Sequence, residues 1–172
     1  MDEFLKTNSM KKINYLFVLL FSIFSCNTEV PTQFSEDALN DTFITLEGES
    51  VAFKGILEAH KGKTVVIDIW APWCSDCIKG MPKVKALQKD YKDVVYVFLS
   101  LDRNQDAWKR GIKKYNVNGA HYFMHSGWKG AFGNFANLNW IPRYMVINKQ
   151  GNIELFKATK ADNNKLIEAL KK

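Results

Sequence analysis

The feature that leaves this chain the fewest folds is a junction. A nearly unbroken β-branched run, Thr64-Val65-Val66-Ile67-Asp68-Ile69, ends at Trp70 and gives way within a few positions to apolar residues at helical spacing. Apolar side chains on both faces must be covered on both faces, so the stretch from Lys63 to Trp70 is expected at the centre of a sheet. After Cys74, the positions Ile78, Met81, Val84, Leu87 and Tyr91 recur every three or four residues and predict an amphipathic helix, which Pro82 should kink. A second buried strand extends from Val94 to Leu99. Strand, helix and strand in this order make a parallel βαβ unit with a right-handed crossover.

The flanks read as additions to that unit. Phe43 to Leu46, a Glu47-Gly48-Glu49 turn and Val51 to Phe53 predict a short N-terminal β-hairpin. Arg103 to Tyr115 reads as a charged helix with Trp108 and Ile112 turned inward. Between Asn116 and Asn139 the chain is rich in Gly, Asn and aromatic residues, and Trp128, Phe132 and Phe135 are read as a short helix facing the core. Tyr144 to Ile147 and Ile153 to Phe156, joined by Lys149-Gln150-Gly151, predict an antiparallel hairpin, and Asp162 can cap a last helix carrying Leu166, Ile167 and Leu170. At 172 residues the chain has room for one core of this α/β kind. Its 24 Lys and Arg against 18 Asp and Glu are scattered along the sequence, so they give no footprint for nucleic acid.

The N-terminus reads as a targeting segment that stands apart from the fold. Lys11 and Lys12 precede an uncharged run, Ile13 to Ser25, of the length of a signal segment and too short to span a bilayer. The run ends in Ile23-Phe24-Ser25-Cys26, and a small residue directly before a cysteine resembles the bacterial lipobox, although Phe24 is bulkier than usual there. The expected division is a lipoprotein signal peptide at residues 1–25, a polar tether at 26–40 starting on a lipidated Cys26, and a domain at 41–172; an ordinary cleaved signal or an uncleaved anchor is the alternative for the run, and Met10 is an alternative start to Met1. Such a chain would sit in the cell envelope, anchored to a membrane and facing the periplasm.

The chemistry is concentrated in Trp70-Ala71-Pro72-Trp73-Cys74-Ser75-Asp76-Cys77, at the point where the central strand passes into a helix. Two intervening residues let one helical turn bring the sulfurs together. The free N–H groups at the helix start favour a thiolate on the first cysteine, so Cys74 is the expected nucleophile and Cys77 the resolving thiol. A zinc site or an inert structural pair would use the same spacing. His121 and His125, the only plausible completing zinc ligands, lie far beyond Cys77 in the chain. With them, His60 is read as a surface or core residue. Redox work on this pair needs neither a metal nor an organic cofactor.

Asp68-Ile69-Trp70-Ala71-Pro72-Trp73-Cys74-Ser75-Asp76-Cys77 with Pro82, completed by Ile141-Pro142 downstream, resembles the active-site segment of the thioredoxin superfamily. The preceding hairpin, Leu99-Ser100-Leu101-Asp102, Trp108 and the stretch from Ile141-Pro142-Arg143 to Gly151 are similar to its membrane-tethered TlpA-type branch. The resemblance covers Asp41 to Lys171 and implies a thioredoxin fold, a central mixed sheet flanked by helices, with an extra N-terminal hairpin. It implies a cis Pro142 facing Cys74 across a substrate groove shared with Trp73, Ile141 and Arg143. The Ile141 backbone would then be free to pair with an extended substrate. Asp68, a carboxylate inside an apolar strand, would take the proton of Cys77 as general base.

Two departures bear on redox tuning by Ser75 and Asp76. Asp76 stands where the superfamily often has proline, and its charge disfavours the Cys74 thiolate, while Arg143 is expected to oppose it. At about 8 Å and an effective dielectric of about 20, each charge is worth about 2 kcal/mol before screening, so the two nearly cancel. Gly80 stands where cytochrome-c-maturation members often carry glutamate. The resulting expectation is a reductant of disulfides in exported proteins, supplied with electrons by a membrane partner. The rivals are a non-catalytic binding module and a peroxiredoxin-like thiol peroxidase.

Overall fold

In the computed structural model, which describes residues 29–172, the βαβ unit expected from the sequence forms the middle of a seven-stranded sheet. Strand β3 (Val65–Trp70) is buried along its whole length and pairs in parallel with β4 (Val95–Ser100), from Val65 opposite Val95 to Trp70 opposite Ser100. Helix α3 (Ser75–Asp90) joins them and buries Cys77, Met81, Val84 and Leu87. It runs without interruption through Pro82.

Around this centre the order is β2-β1-β5-β4-β3-β6-β7. β6 (Arg143–Ile147) lies antiparallel to β3 and to β7 (Ile153–Ala158), as the hairpin pattern required. On the far side, β5 (Ala120–Phe123) runs parallel to β4, and β1 (Thr42–Ile44) joins it through a single pair, Ile44 opposite Phe123. β1 and β2 (Ser50–Ala52) form the N-terminal hairpin. The remaining helices are α1 (Glu36–Asn40), α2 (Phe53–Glu58), α4 (Gln105–Tyr115), α5 (Ala131–Phe135) and α6 (Asn164–Leu170). This is the thioredoxin fold, a mixed sheet flanked by helices.

Four local expectations are corrected. Phe53 does not extend the hairpin but starts α2, where it is fully buried. The glycine- and asparagine-rich stretch contains a strand, β5, as well as a 3-10 turn (Gly127–Lys129) and α5. α6 is capped by Asn163, whose side chain accepts the Lys165 N–H, and not by Asp162.

The fourth concerns the tether. Packing begins before residue 41: the Ile153 N–H donates to Thr32 O at 2.7 Å, and Ala38 of α1 is fully buried. The Phe34 ring lies 4.8 Å from that of Phe53 and 5.2 Å from that of Phe135. Phe34 is partly buried, and since burying a whole aromatic ring contributes about 1.5–3 kcal/mol, its contacts supply a share of that which a polar spacer would forgo. Cys26 and the signal-like run lie outside the described residues.

Candidate active site

The site is built where the chain leaves β3. The Leu101 N–H holds Trp70 O at 2.9 Å, the chain turns through Ala71-Pro72-Trp73, and the Cys74 N–H returns to Ala71 O at 3.0 Å. That turn leaves Cys74 in extended conformation as the N-cap of α3. Pro72 is seated against Gly111 of α4, where a Cβ would stand 2.2 Å from its Cγ. α4 therefore approaches the active-site turn at glycine distance.

Cys74 and Cys77 are joined by a disulfide with Cα atoms 5.2 Å apart. The backbone N–H of Cys77 donates to Cys74 Sγ at 3.1 Å. A helix N-terminus holds several amide donors without acceptors, and here the cysteine sulfur takes the place that Ser or Asp usually fills. In the dithiol form the same contact favours a thiolate on Cys74 over one on Cys77. Cys74 is 6 % exposed and Cys77 1 %, so Cys74 is the more accessible of the two sulfurs.

Cys74 opens into an apolar groove of about 350 Å³, lined by Trp73, Trp128, Trp140 and Ile141 together with Ser75 and Asp76. Trp73 and Trp140 are 47 % and 58 % exposed, which is unusual for tryptophan on a surface with no partner. Sequence patterning does not mark Trp128 or Trp140 as groove residues, and it assigns Trp128 to the core. The cue for Trp140 is its place directly before Ile141-Pro142. The Ile141–Pro142 peptide bond is cis, and Ile141 O lies 3.6 Å from Cys74 Sγ.

Asp68 is 1 % exposed, and neither carboxylate oxygen has a hydrogen-bond partner. On the sheet it sits between Phe98 of β4 and Tyr144 of β6, so no cation faces it from either neighbouring strand. Burial alone pushes its pKa up to about 8.

Arg143 departs from its expected position. Its side chain is fully buried, pointing at the segment before Trp140 and not into the groove. Nη1 donates to Ala136 O at 2.5 Å, and Nη2 donates to Asn137 O at 3.3 Å and Asn139 Oδ1 at 3.4 Å. Burial lowers its pKa. Two backbone carbonyls and one side-chain amide oxygen hold Nη1 and Nη2 while Nε is left without a partner, and they direct the guanidinium away from the groove, so Arg143 does not balance Asp76, which stays exposed at the start of α3. His121 is also buried, its Nε2 donating to Val117 O at 3.0 Å, and His125 Nε2 lies 3.5 Å from Thr42 Oγ1. Among the described residues no cluster of His, Cys, Asp and Glu is arranged to hold a metal.

The pattern of the thioredoxin-like family matches residues 62–153, which contain the strand, both cysteines and Pro142. The chain belongs to the thioredoxin-like family. Within that family it is 39% identical over 93 residues to the thioredoxin-like protein YneN of Bacillus subtilis, covering 52% of each chain. It is 31% identical over 125 residues to the thiol-disulfide oxidoreductase ResA of Bacillus thuringiensis, covering 70% of this chain and 67% of that one. The match thus spans only about half the length of YneN. Among solved structures, the thioredoxin domain of a thiol-disulfide oxidoreductase from Bacteroides vulgatus superposes with a TM-score of 0.64 at 21% identity, over 83% of this chain and 97% of that one. At that identity the likeness speaks for the thioredoxin-like fold.

Proposed function

We propose that this domain is a thiol-disulfide oxidoreductase that reduces disulfides of exported proteins from a lipid anchor at Cys26, facing the periplasm. The observation that carries the activity is Cys74 at the N-cap of α3, with its sulfur accepting the Cys77 N–H at 3.1 Å beside an open apolar groove. The names of the relatives support the same chemistry. The signal-like run ending at Cys26 supports the location.

In the reducing cycle the Cys74 thiolate attacks one sulfur of a substrate disulfide. A mixed disulfide forms, and the substrate's other sulfur leaves as a thiolate that takes a proton from water. Cys77 then gives its proton to Asp68 and attacks Cys74 Sγ, so the second substrate sulfur departs with the bonding pair. The substrate has gained two electrons, and Cys74 and Cys77 have become the disulfide. A membrane dithiol partner returns two electrons and two protons. Trp73, Trp140 and Ile141 hold the substrate segment against the groove, and the Ile141 backbone pairs with it as an added strand.

Among the described residues Asp76 is the one charged side chain that lines the groove with Cys74. It disfavours the thiolate, which makes the dithiol less favoured and the protein a reductant, with the effect moderated by the exposure of Asp76. The test is to mix the dithiol form with a protein disulfide such as insulin and follow reduction against a control lacking Cys74. Rapid reduction supports the proposal. Binding without reduction would leave a non-catalytic module.

A further inference from the structure

In the proposed cycle Asp68 must gain and lose a proton at every turnover, yet its carboxylate oxygens are buried and neither has a hydrogen-bond partner. Of the two residues beside it on the sheet, Phe98 closes one side with an apolar ring. Tyr144, on the other side, lines an open cavity of about 330 Å³ together with Gly80 and Lys83 of α3 and with Lys160 and Asp162 after β7. Tyr144 thus adjoins the buried acid on the ladder and the cavity at its edge. The two groups also sense each other, since the hydroxyl of Tyr144 is pushed upward first by burial and then by the Asp68 charge.

Gly80 is the informative part of that cavity. Glycine inside a helix costs about 0.5–1 kcal/mol relative to alanine, so it calls for a reason. Elsewhere the reason is contact: an added Cβ would lie 2.2 Å from Pro72 Cγ at Gly111 and 2.4 Å from Trp128 O at Gly133. At Gly80 an added Cβ would meet only the Tyr144 hydroxyl, at an ordinary 3.5 Å, and φ is not left-handed. Neither backbone nor packing requires glycine there. A longer side chain would remove only the open space before the Tyr144 hydroxyl.

The geometry points to this cavity as the port through which Asp68 exchanges its proton with solvent, with Gly80 as the residue that keeps it open. The inference rests on the reading of Asp68 as base for Cys77. After Cys77 has transferred its proton, the Asp68 carboxylic acid releases that proton to a water molecule entering from the cavity past Tyr144, since no hydrogen bond joins the two side chains. No electrons move in this step, and Tyr144 ends unchanged. The charged groups around the port are Asp76, Lys79 and Lys83 from α3 and Lys160 and Asp162 from the segment after β7. Lys83 and Asp162 pair with each other at 2.5 Å, which ties α3 to that segment beside the opening.

The test is infrared spectroscopy of the oxidised protein, in which the C=O stretch of protonated Asp68, assigned by its loss in Asp68→Asn, is followed after rapid mixing into D2O. Wild type and Gly80→Ala should show the isotope shift in the same interval. Gly80→Leu should delay it at least tenfold and slow resolution of the mixed disulfide in proportion, while alkylation of Cys74 by a small reagent is unchanged. Should Gly80→Leu fold poorly, Gly80→Met takes its place with the same expectation. Exchange as fast as wild type in a folded, filled variant would overturn the port. Wild-type resolution in Asp68→Asn would instead remove the base reading, and the exchange measurement would still decide on the port.

Discussion

The Cys77 backbone N–H donates to the Cys74 sulfur over 3.1 Å, so the turn that carries the second thiol also solvates the first. Because the donor is backbone, Cys77→Ala keeps it. That variant should attack disulfides at close to the wild-type rate and then stall, accumulating mixed disulfides visible on non-reducing gels and identifiable by mass spectrometry. Cys74→Ser should give none. Equal adduct levels in the two variants would reverse the assignment of nucleophile and resolving thiol.

Burial of Asp68 makes stability depend on pH in a definite direction. Its carboxyl titrates at the ordinary value of 3.8 in the unfolded chain and at about 8 in the folded one, so between these values the native state holds a proton that the unfolded state has lost. The stabilisation from the neutral acid is full below the lower value and is lost as pH rises through the upper one. The slope over that window is about 1.4 kcal/mol per pH unit from this group. Asp68→Asn should flatten it, measured as urea midpoints from pH 5 to 9. An unchanged slope would show that Asp68 does not titrate upward.

Arg143 ties the carbonyls at Ala136 and Asn137 to the start of β6, and Trp140 and Ile141 lie between these anchor points. Lysine supplies a point charge and cannot serve this fork. Arg143→Lys should lose about 1–3 kcal/mol in urea denaturation, the cost of a buried acceptor left unpaired. It should also raise KM for a protein disulfide more than it lowers kcat. A change confined to kcat would speak for a direct role in the chemistry.

Trp140 is 58 % exposed and should matter for binding and hardly at all for folding. Trp140→Ala should shift stability by less than about 0.5 kcal/mol, the usual limit for surface changes, while weakening capture of a protein disulfide about tenfold. Reduction of a small disulfide, which does not reach across the groove, should be unaffected. Equal losses on both substrates would place Trp140 in the thiol chemistry.

Gly111→Ala drives a methyl group to 2.2 Å from Pro72 Cγ, which the turn before Cys74 must absorb. Overpacking of this kind costs about 1–3 kcal/mol. The midpoint of thermal unfolding should fall, and Cys74 alkylation should change as the turn shifts. Unaltered thiol reactivity would mean that α4 yields and the active-site turn does not.

The parts of this molecule that can be read from residues are those whose signal is long. The uniformly apolar β3 and β4 and the periodic α3 leave no other assignment, and the cysteine spacing at their junction reveals the site. β5 has only four residues, with burial alternating around His121 and Tyr122, and it lies in a stretch whose glycines and asparagines suggest loop. α2 is hidden because Val51, Ala52 and Phe53 read as a strand until the helix begins at Phe53. Arg143 is the instructive failure. A charge next to Pro142 looks like part of an exposed groove, and only the three-dimensional path of residues 136–139 supplies the oxygens that allow it to be buried.

Cys74 and Cys77 are three positions apart. A ring that small hardly restrains an unfolded chain, since the stabilisation from a cross-link grows with the length of the loop it closes. Making or breaking this bond is therefore an event within one turn of helix, and neither the sheet nor the far edge of the domain is obliged to register it. In the proposed cycle, a protein that tells the charged carrier from the spent one would read the rim formed by Trp73 and Trp140, so donor and substrate would take turns on the same small patch of surface.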